Sequence, residues 1–188
     1  MLGKVTALIL RASPAGDELL LFKHPYAGIQ IPAGTIEPHE DPEAAALREA
    51  FEETGLTGFT ALQSLGYRDN ILPANRRTIM RPTTVYARPD ISSFAWVHIR
   101  SGIGVMAERE IDEFTQITYE EWDQFDAPAY VSYRITGWAP SADLTSVERR
   151  HFYLLRYDRE TPERWQVETD NHRFSLFWAP LNALPTVV

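Results

Sequence analysis

The sequence predicts an α+β domain. Three observations point there: a strand hairpin at the start, one helix with clear boundary signals, and a series of short strand-like stretches after it. Val5–Leu10 is apolar apart from Thr6 and reads as a buried strand. Pro14-Ala15-Gly16-Asp17 is a turn, and Glu18–Lys23 is the returning strand. Ile29-Gln30-Ile31 is a short extended piece. It meets Pro32-Ala33-Gly34, where proline and glycine break the strand and expose backbone. The helix runs from Pro42 to Thr54. Asp41 can cap it, Pro42 fits its first turn, and Gly55 fits the left-handed stop just beyond its end.

The rest of the chain is expected to be strand-rich. Phe59–Tyr67, Thr78–Ala87, Phe94–Ile99 and Tyr130–Trp138 read as strands, and Phe114–Phe125 fits either a strand or a helix. His151–Tyr157 reads as a central strand, Trp165–Glu168 and Phe174–Trp178 as shorter ones. Pro180–Leu184 suggests a terminal turn of helix.

Length and composition bound the function classes. At 188 residues with 44% apolar content the chain can build a full core, so we expect one domain over residues 1–188 with an insertion at about 70–149. The net charge of −8 disfavours a nucleic-acid-binding face, which needs clustered Lys and Arg. Cysteine is absent, which excludes disulfides, Cys-ligated zinc, iron–sulfur clusters and thiol catalysis. Val5–Leu10 is too short to cross a membrane, and no secretory-type cleavage site follows it. The expectation is a soluble, cytoplasmic protein. Between Arg88 and Pro128 nine acidic residues face three arginines, so most of the negative charge lies there. A solvated acidic face on the insertion is the first reading, a homodimer contact the second.

The helix carries the chemistry. With 3.6 residues per turn, Ala44, Leu47, Ala50, Phe51 and Thr54 fall on one face, read as the core stripe. Glu49, Glu52 and Glu53 fall opposite, within an arc of about 100°. Glu49 repels Glu52 and Glu53 by about 0.2–0.5 kcal/mol per pair. Glu52 and Glu53 also oppose the helix dipole by roughly 0.3–1 kcal/mol each. Arg48 offers the local relief, through its i,i+4 relation to Glu52. A divalent cation would reverse the sign of the penalty, and magnesium, which prefers oxygen ligands and is often shared with phosphates, suits such a set.

From Gly34 the chain reads Gly34, five residues, Glu40, seven residues, then Arg48-Glu49-Ala50-Phe51-Glu52-Glu53-Thr54-Gly55-Leu56. This resembles the Nudix box, G-x5-E-x7-R-E-U-x-E-E-x-G-U, with every fixed position present and the small Ala50 at an apolar one. The resemblance implies a Nudix-type α/β/α sandwich around a mixed sheet, with helices on both sides. It implies Mg- or Mn-dependent hydrolysis of a nucleoside diphosphate linked to another group, by attack of metal-bound water on phosphorus. By motif position Glu49, Glu52 and Glu53 are metal ligands, and the Ala33 carbonyl is a further one. Many relatives carry Gly at that position, whereas Ala restricts the backbone. Arg48 braces Glu52. One of the glutamates, or a later carboxylate, orients or deprotonates the attacking water. Glu168 is the candidate for the later carboxylate and Glu163 the alternative.

Other residues are open to both functional and structural readings. Arg76, Arg77 and Arg81 form a small basic cluster suited to phosphate or to solvent. Lys23 ends a strand near the proposed mouth. Tyr26, Phe22 and Trp178 could stack on a base, although Phe22 and Trp178 sit in apolar runs that favour the core. Arg149-Arg150, before the His151 strand, face either substrate or solvent, and the five histidines show no metal-ligand spacing. Competing functions are a non-catalytic nucleotide sensor on the same fold and the isopentenyl diphosphate isomerase branch, which uses a catalytic Cys that is absent here. The substrate is expected to be a small nucleotide.

Overall fold

In the computed structural model, which describes residues 1–123, 129–169 and 172–188, the opening hairpin forms as expected. The strands are β1 (Leu2–Ser13), β2 (Gly16–His24), β3 (Gly28–Gln30), β4 (Ala33–Thr35), β5 (Ala61–Ile71), β6 (Arg76–Ile79), β7 (Thr83–Tyr86), β8 (Ala95–Ile99), β9 (Gly104–Ile111), β10 (Phe114–Asp123), β11 (Tyr130–Pro140), β12 (Leu144–Thr145), β13 (Val147–Arg156), β14 (Arg164–Thr169) and β15 (His172–Pro180). The helix α1 spans Pro42–Thr54. Short 3-10 turns occupy Ser141–Asp143 and Leu181–Ala183. The α+β class holds. Among the described residues the helical part is α1 and these two turns, so the expected second helical layer is not found there. No described helix is long and apolar enough to cross a membrane.

The chain divides into two compact units, one of residues 3–68 and 150–188, the other of residues 1–2 and 69–149. The first is built on a sheet of order β14-β15-β2-β1-β13-β5, with β3 paired to β2 and β4 to β1. Strand alternation sorts its apolar residues onto two faces. Ala7, Ile9, Leu20 and Leu155 join Ala50 of α1 in one core cluster, and Val5 and Tyr153 pack with Ala45 and Ala46. On the other face Leu8, Leu10, Leu19, Leu21 and Ala179 pack with Ile29 and Val187.

The capping signals of α1 are realised. The Glu43 N–H donates to Asp41 Oδ1 at 2.8 Å, Pro42 occupies the first turn, and Gly55 adopts φ 73° with its N–H donating to the Phe51 carbonyl. The last-turn carbonyl of Thr54 accepts from the Trp165 indole N–H at 3.0 Å, so a side chain of β14 closes the helix end. The expected core stripe is corrected. Ala45, Ala46, Ala50 and Thr54 are the buried positions, whereas Ala44, Leu47 and Phe51 are exposed. Small residues let the helix lie close to the sheet. The inward arc that holds Ala46 and Ala50 therefore also holds Glu49 and Glu53, about 60° and 20° from Ala46 on the helical wheel.

The second unit is a sheet of order β12-β6-β9-β10-β11-β7-β8 around Ile79, Val85, Ile99, Val105, Ile117 and Ala139. The single strand expected over Thr78–Ala87 is in fact two, β6 and β7, because Met80-Arg81-Pro82 intervenes and proline cannot donate to a ladder. The ambiguous stretch is a strand, β10; its expected end, Gln124–Phe125, lies outside the described residues. Strand β9, which the sequence did not signal, pairs with β10 across a two-residue turn in which Asp112 takes φ 52°. Glu108, Glu110, Asp112, Glu113 and Glu121 are exposed in the single chain. Replacing Trp165 by Phe keeps the ring and deletes the donor to Thr54. We expect a loss of about 1 kcal/mol, read as a lower urea midpoint at unchanged slope.

Candidate active site

The box residues meet where β1 and β2 part. Their ladder runs from Ser13↔Gly16 to Leu10↔Leu19, after which β1 pairs with β4 through Thr6↔Ala33 and β2 with β3 through Phe22↔Gln30. The splay opens a cavity of about 420 Å³ lined by Thr6, Phe22, Gln30 and Ala33 from these strands, by Glu53 of α1, and by Arg150 and Phe152 of β13. The Ala33 N–H donates to Glu53 Oε2 at 2.8 Å, tying the loop to the helix at the cavity wall.

Arg48 collects the remaining carboxylates. Its Nε and Nη2 donate to the two oxygens of Glu40 at 2.8 and 3.0 Å, and Nη2 also donates to the Thr35 carbonyl at 3.0 Å. Nη1 donates to Glu49 Oε1 at 2.8 Å and to Glu52 Oε2 at 3.0 Å. These contacts match the five N–H donors of a guanidinium. Glu40 Oε2 accepts in addition from the Glu37 N–H at 2.9 Å. Electrostatics follow. Hydrogen bonding by Arg48 holds the Glu40 carboxyl below its ordinary value, and Glu40 in turn raises Arg48. Burial pushes Glu49 up, against the pull of Arg48. The Glu49 side chain is 12% exposed and that of Glu52 46%, so the two ligand candidates differ sharply in environment.

Gly34 explains the close approach of loop and helix. A Cβ there would fall on the Glu49 carboxylate, so any side chain at this position displaces Glu49 or the loop.

The structure thus brings Glu49 and Glu52 together on Arg48, and Glu53 together with Ala33. Among the described residues no three His, Asp or Glu side chains are oriented as a metal-holding group. Glu168 is not brought to the cavity: it lies exposed on β14 in a cross-strand ion pair with Arg173 at 2.7 Å. Glu163 pairs with Arg11 at 2.8 Å. Lys23 lines a separate groove with Arg164 and Phe177. Arg76 and Arg77 belong to the other unit, where Arg77 donates to the carbonyls of Ala74 and Arg76. Arg81 there pairs with Asp143. Trp178 is core, covered by Arg11 at 4.6 Å, and Phe22 stacks on Phe174 at 4.5 Å and also lines the cavity. Gln30, Thr6 and Phe152 are cavity residues the sequence did not single out. The signal available was the i,i+2 alternation of the His151 strand, which puts Phe152 on the face of Arg150.

A family model, the NUDIX domain, matches residues 3–134. The chain belongs to the Nudix family. No curated protein matches it. Among solved structures, an Ap4A hydrolase of C. elegans in a binary complex is 13% identical, with 97% of this chain and 82% of that chain covered and a TM-score of 0.45. The NUDIX domain of Shewanella oneidensis NrtR, crystallised with ADP ribose, is 14% identical, with 97% and 74% covered and a TM-score of 0.47.

The Glu40–Arg48 pair gives a pH-dependent prediction. Glu40→Gln should cost about 1–3 kcal/mol of stability at neutral pH. A lowered carboxyl contributes stability that is complete above the ordinary 4.5 and is lost as pH falls through the folded-state value. Urea denaturation should therefore show the wild-type advantage shrinking below pH 4.5.

Proposed function

We propose that the chain is a divalent-cation-dependent hydrolase that cleaves a pyrophosphate bond in a nucleoside diphosphate linked to another moiety. We also take residues from about 70 to 149 to be an insertion within one Nudix domain spanning 1–188. The observation that carries the activity is the place of Glu53: a box carboxylate, fixed by the Ala33 N–H, on the wall of a cavity large enough for part of a nucleotide.

In donor chemistry, though not in their present orientation, the residues suit a magnesium or manganese ion. The donor set is all oxygen, as such ions require. The Arg48 guanidinium already lies between Glu49 and Glu52, so these carboxylates are arranged about a positive charge. Glu49, Glu52 and Glu53, with the Ala33 carbonyl, would hold the ion. Once bound, it would neutralise pyrophosphate charge and acidify water. The chain's own part is positioning. Arg48 keeps Glu49 and Glu52 from repelling each other, Gly34 admits the loop against Glu49, and Ala33 fixes the rotamer of Glu53. A water attacks phosphorus, the bridging P–O bond breaks, and the water's proton passes to a carboxylate of the set and on to solvent. The products are a nucleoside monophosphate and a second phosphorylated fragment.

A non-catalytic nucleotide sensor is the second reading. It is favoured by the turn of Glu49 and Glu52 toward Arg48. Phosphate-release assays with Mg²⁺ against ADP-ribose, nucleoside triphosphates, dinucleoside polyphosphates and nucleotide sugars separate the two. We expect turnover on at least one of these and its loss in EDTA. Glu52→Gln and Glu53→Gln should each reduce turnover by about a hundred-fold or more. Full activity in both variants would remove the assignment. Glu49→Gln should lose activity yet unfold no more easily than wild type in EDTA above pH 4.5, since it removes a carboxylate that burial already disfavours.

A further inference from the structure

Resting on that reading, we propose that Arg150 grips a substrate phosphate and that Phe152 is the platform for the adjoining base, so that the cavity takes the nucleoside 5′-phosphate half of the substrate. Arg150 and Glu53 are the charged side chains among the described residues that line the cavity. A pyrophosphate entering beside Glu53 meets a like charge, and the cation on the same walls offsets it.

Arg150 is held for this task. Its Nη1 donates to Thr6 Oγ1 at 3.0 Å and to the Val5 carbonyl at 3.4 Å. Thr6 is itself buried, so the guanidinium is anchored to the sheet rather than carried on a loose stem. A planar fork fixed in this way suits the oxygens of a phosphate.

Phe152 follows two residues on along β13, and both side chains line the cavity. Strand geometry separates such a pair by about 6.6 Å. A 5′-nucleotide spans a comparable distance between its phosphorus and its base. The phenyl ring can stack on any base. Gln30, on the same walls, brings an amide that both donates and accepts. The apolar Val187 on the same walls suits a flat ring.

The test is equilibrium binding of the four ribonucleoside 5′-monophosphates, and of inorganic pyrophosphate, to the full chain in EDTA by calorimetry. Wild type should bind at least one monophosphate. Arg150→Gln should weaken that monophosphate and pyrophosphate alike, by about ten-fold or more, with Arg150→Lys intermediate. Phe152→Ala should weaken the monophosphate about ten-fold and leave pyrophosphate unchanged. Circular dichroism identical to wild type qualifies each variant. No monophosphate binding by wild type, wild-type affinity in Arg150→Gln, or equal loss of both ligands in Phe152→Ala would each overturn the proposal. Failure of the hydrolase reading looks different. Glu53→Gln would then keep its Mg²⁺-dependent turnover, or no turnover would be found at all, while the binding pattern of Arg150 and Phe152 stood.

Discussion

One guanidinium organises this site. Arg48 joins three carboxylates that would otherwise repel, and a backbone carbonyl, through hydrogen bonds of 2.8 to 3.0 Å. Two of its acceptors, Thr35 at the end of β4 and Glu40 in the loop that follows, precede α1; the other two, Glu49 and Glu52, lie on α1 itself. The contact therefore does two jobs. It fastens the loop to the helix, and it supplies positive charge where the sequence concentrates negative charge. Without it Glu49 would be a largely buried carboxylate facing Glu52 with no counter-charge, a far costlier arrangement than an exposed pair.

The cavity arises from backbone pairing rather than from any one side chain. Strands β1 and β2 share a ladder for only four residue pairs before each takes a new partner. The new partners, β4 and β3, flank the Pro32 break, so the loop that bears Ala33 and Gly34 is threaded into the sheet instead of hanging off it. That explains why Ala33 can present its N–H to Glu53 at a fixed distance, and why a side chain at position 34 would displace the Glu49 carboxylate. A loop built into a ladder is stiffer than a free one, which suits a wall that must hold a charged group in place.

Local chemistry was legible in the sequence, while faces and pairings were less so. Asp41, Pro42 and Gly55 located α1 because caps act over a few residues and need no tertiary partner. Leu47 and Phe51 misled the face assignment, since their hydrophobicity outweighs that of three alanines although small residues are what close helix–sheet contact requires. The seven fixed positions of the box signalled the candidate carboxylates, but not that Glu49 and Glu53 share the buried side. Arg150 and Phe152 were weak signals because their role comes from β13 lying beside β1, a contact between residues far apart in the chain. In the second unit β6 and β7 ran together in the sequence, because the interruption Met80-Arg81-Pro82 is short. Strand β9 was hidden, because Glu108, Arg109 and Glu110 blur its alternation.

The placement of the glutamates is poor engineering for a helix and sensible for a site. The last turn of α1 carries Glu52 and Glu53 and no basic residue, against the dipole. Glu49 is mostly buried, and burial raises its pKa despite Arg48. A helix selected for stability alone would place apolar or neutral residues at 49 and 53, since a well-packed apolar side chain matches or exceeds a buried ion pair. The rest of the helix obeys local rules: capped start, left-handed stop, alanine face against the sheet. The three glutamates depart from those rules together, and one of them opens on a cavity, which is the physical ground on which the proposed site rests.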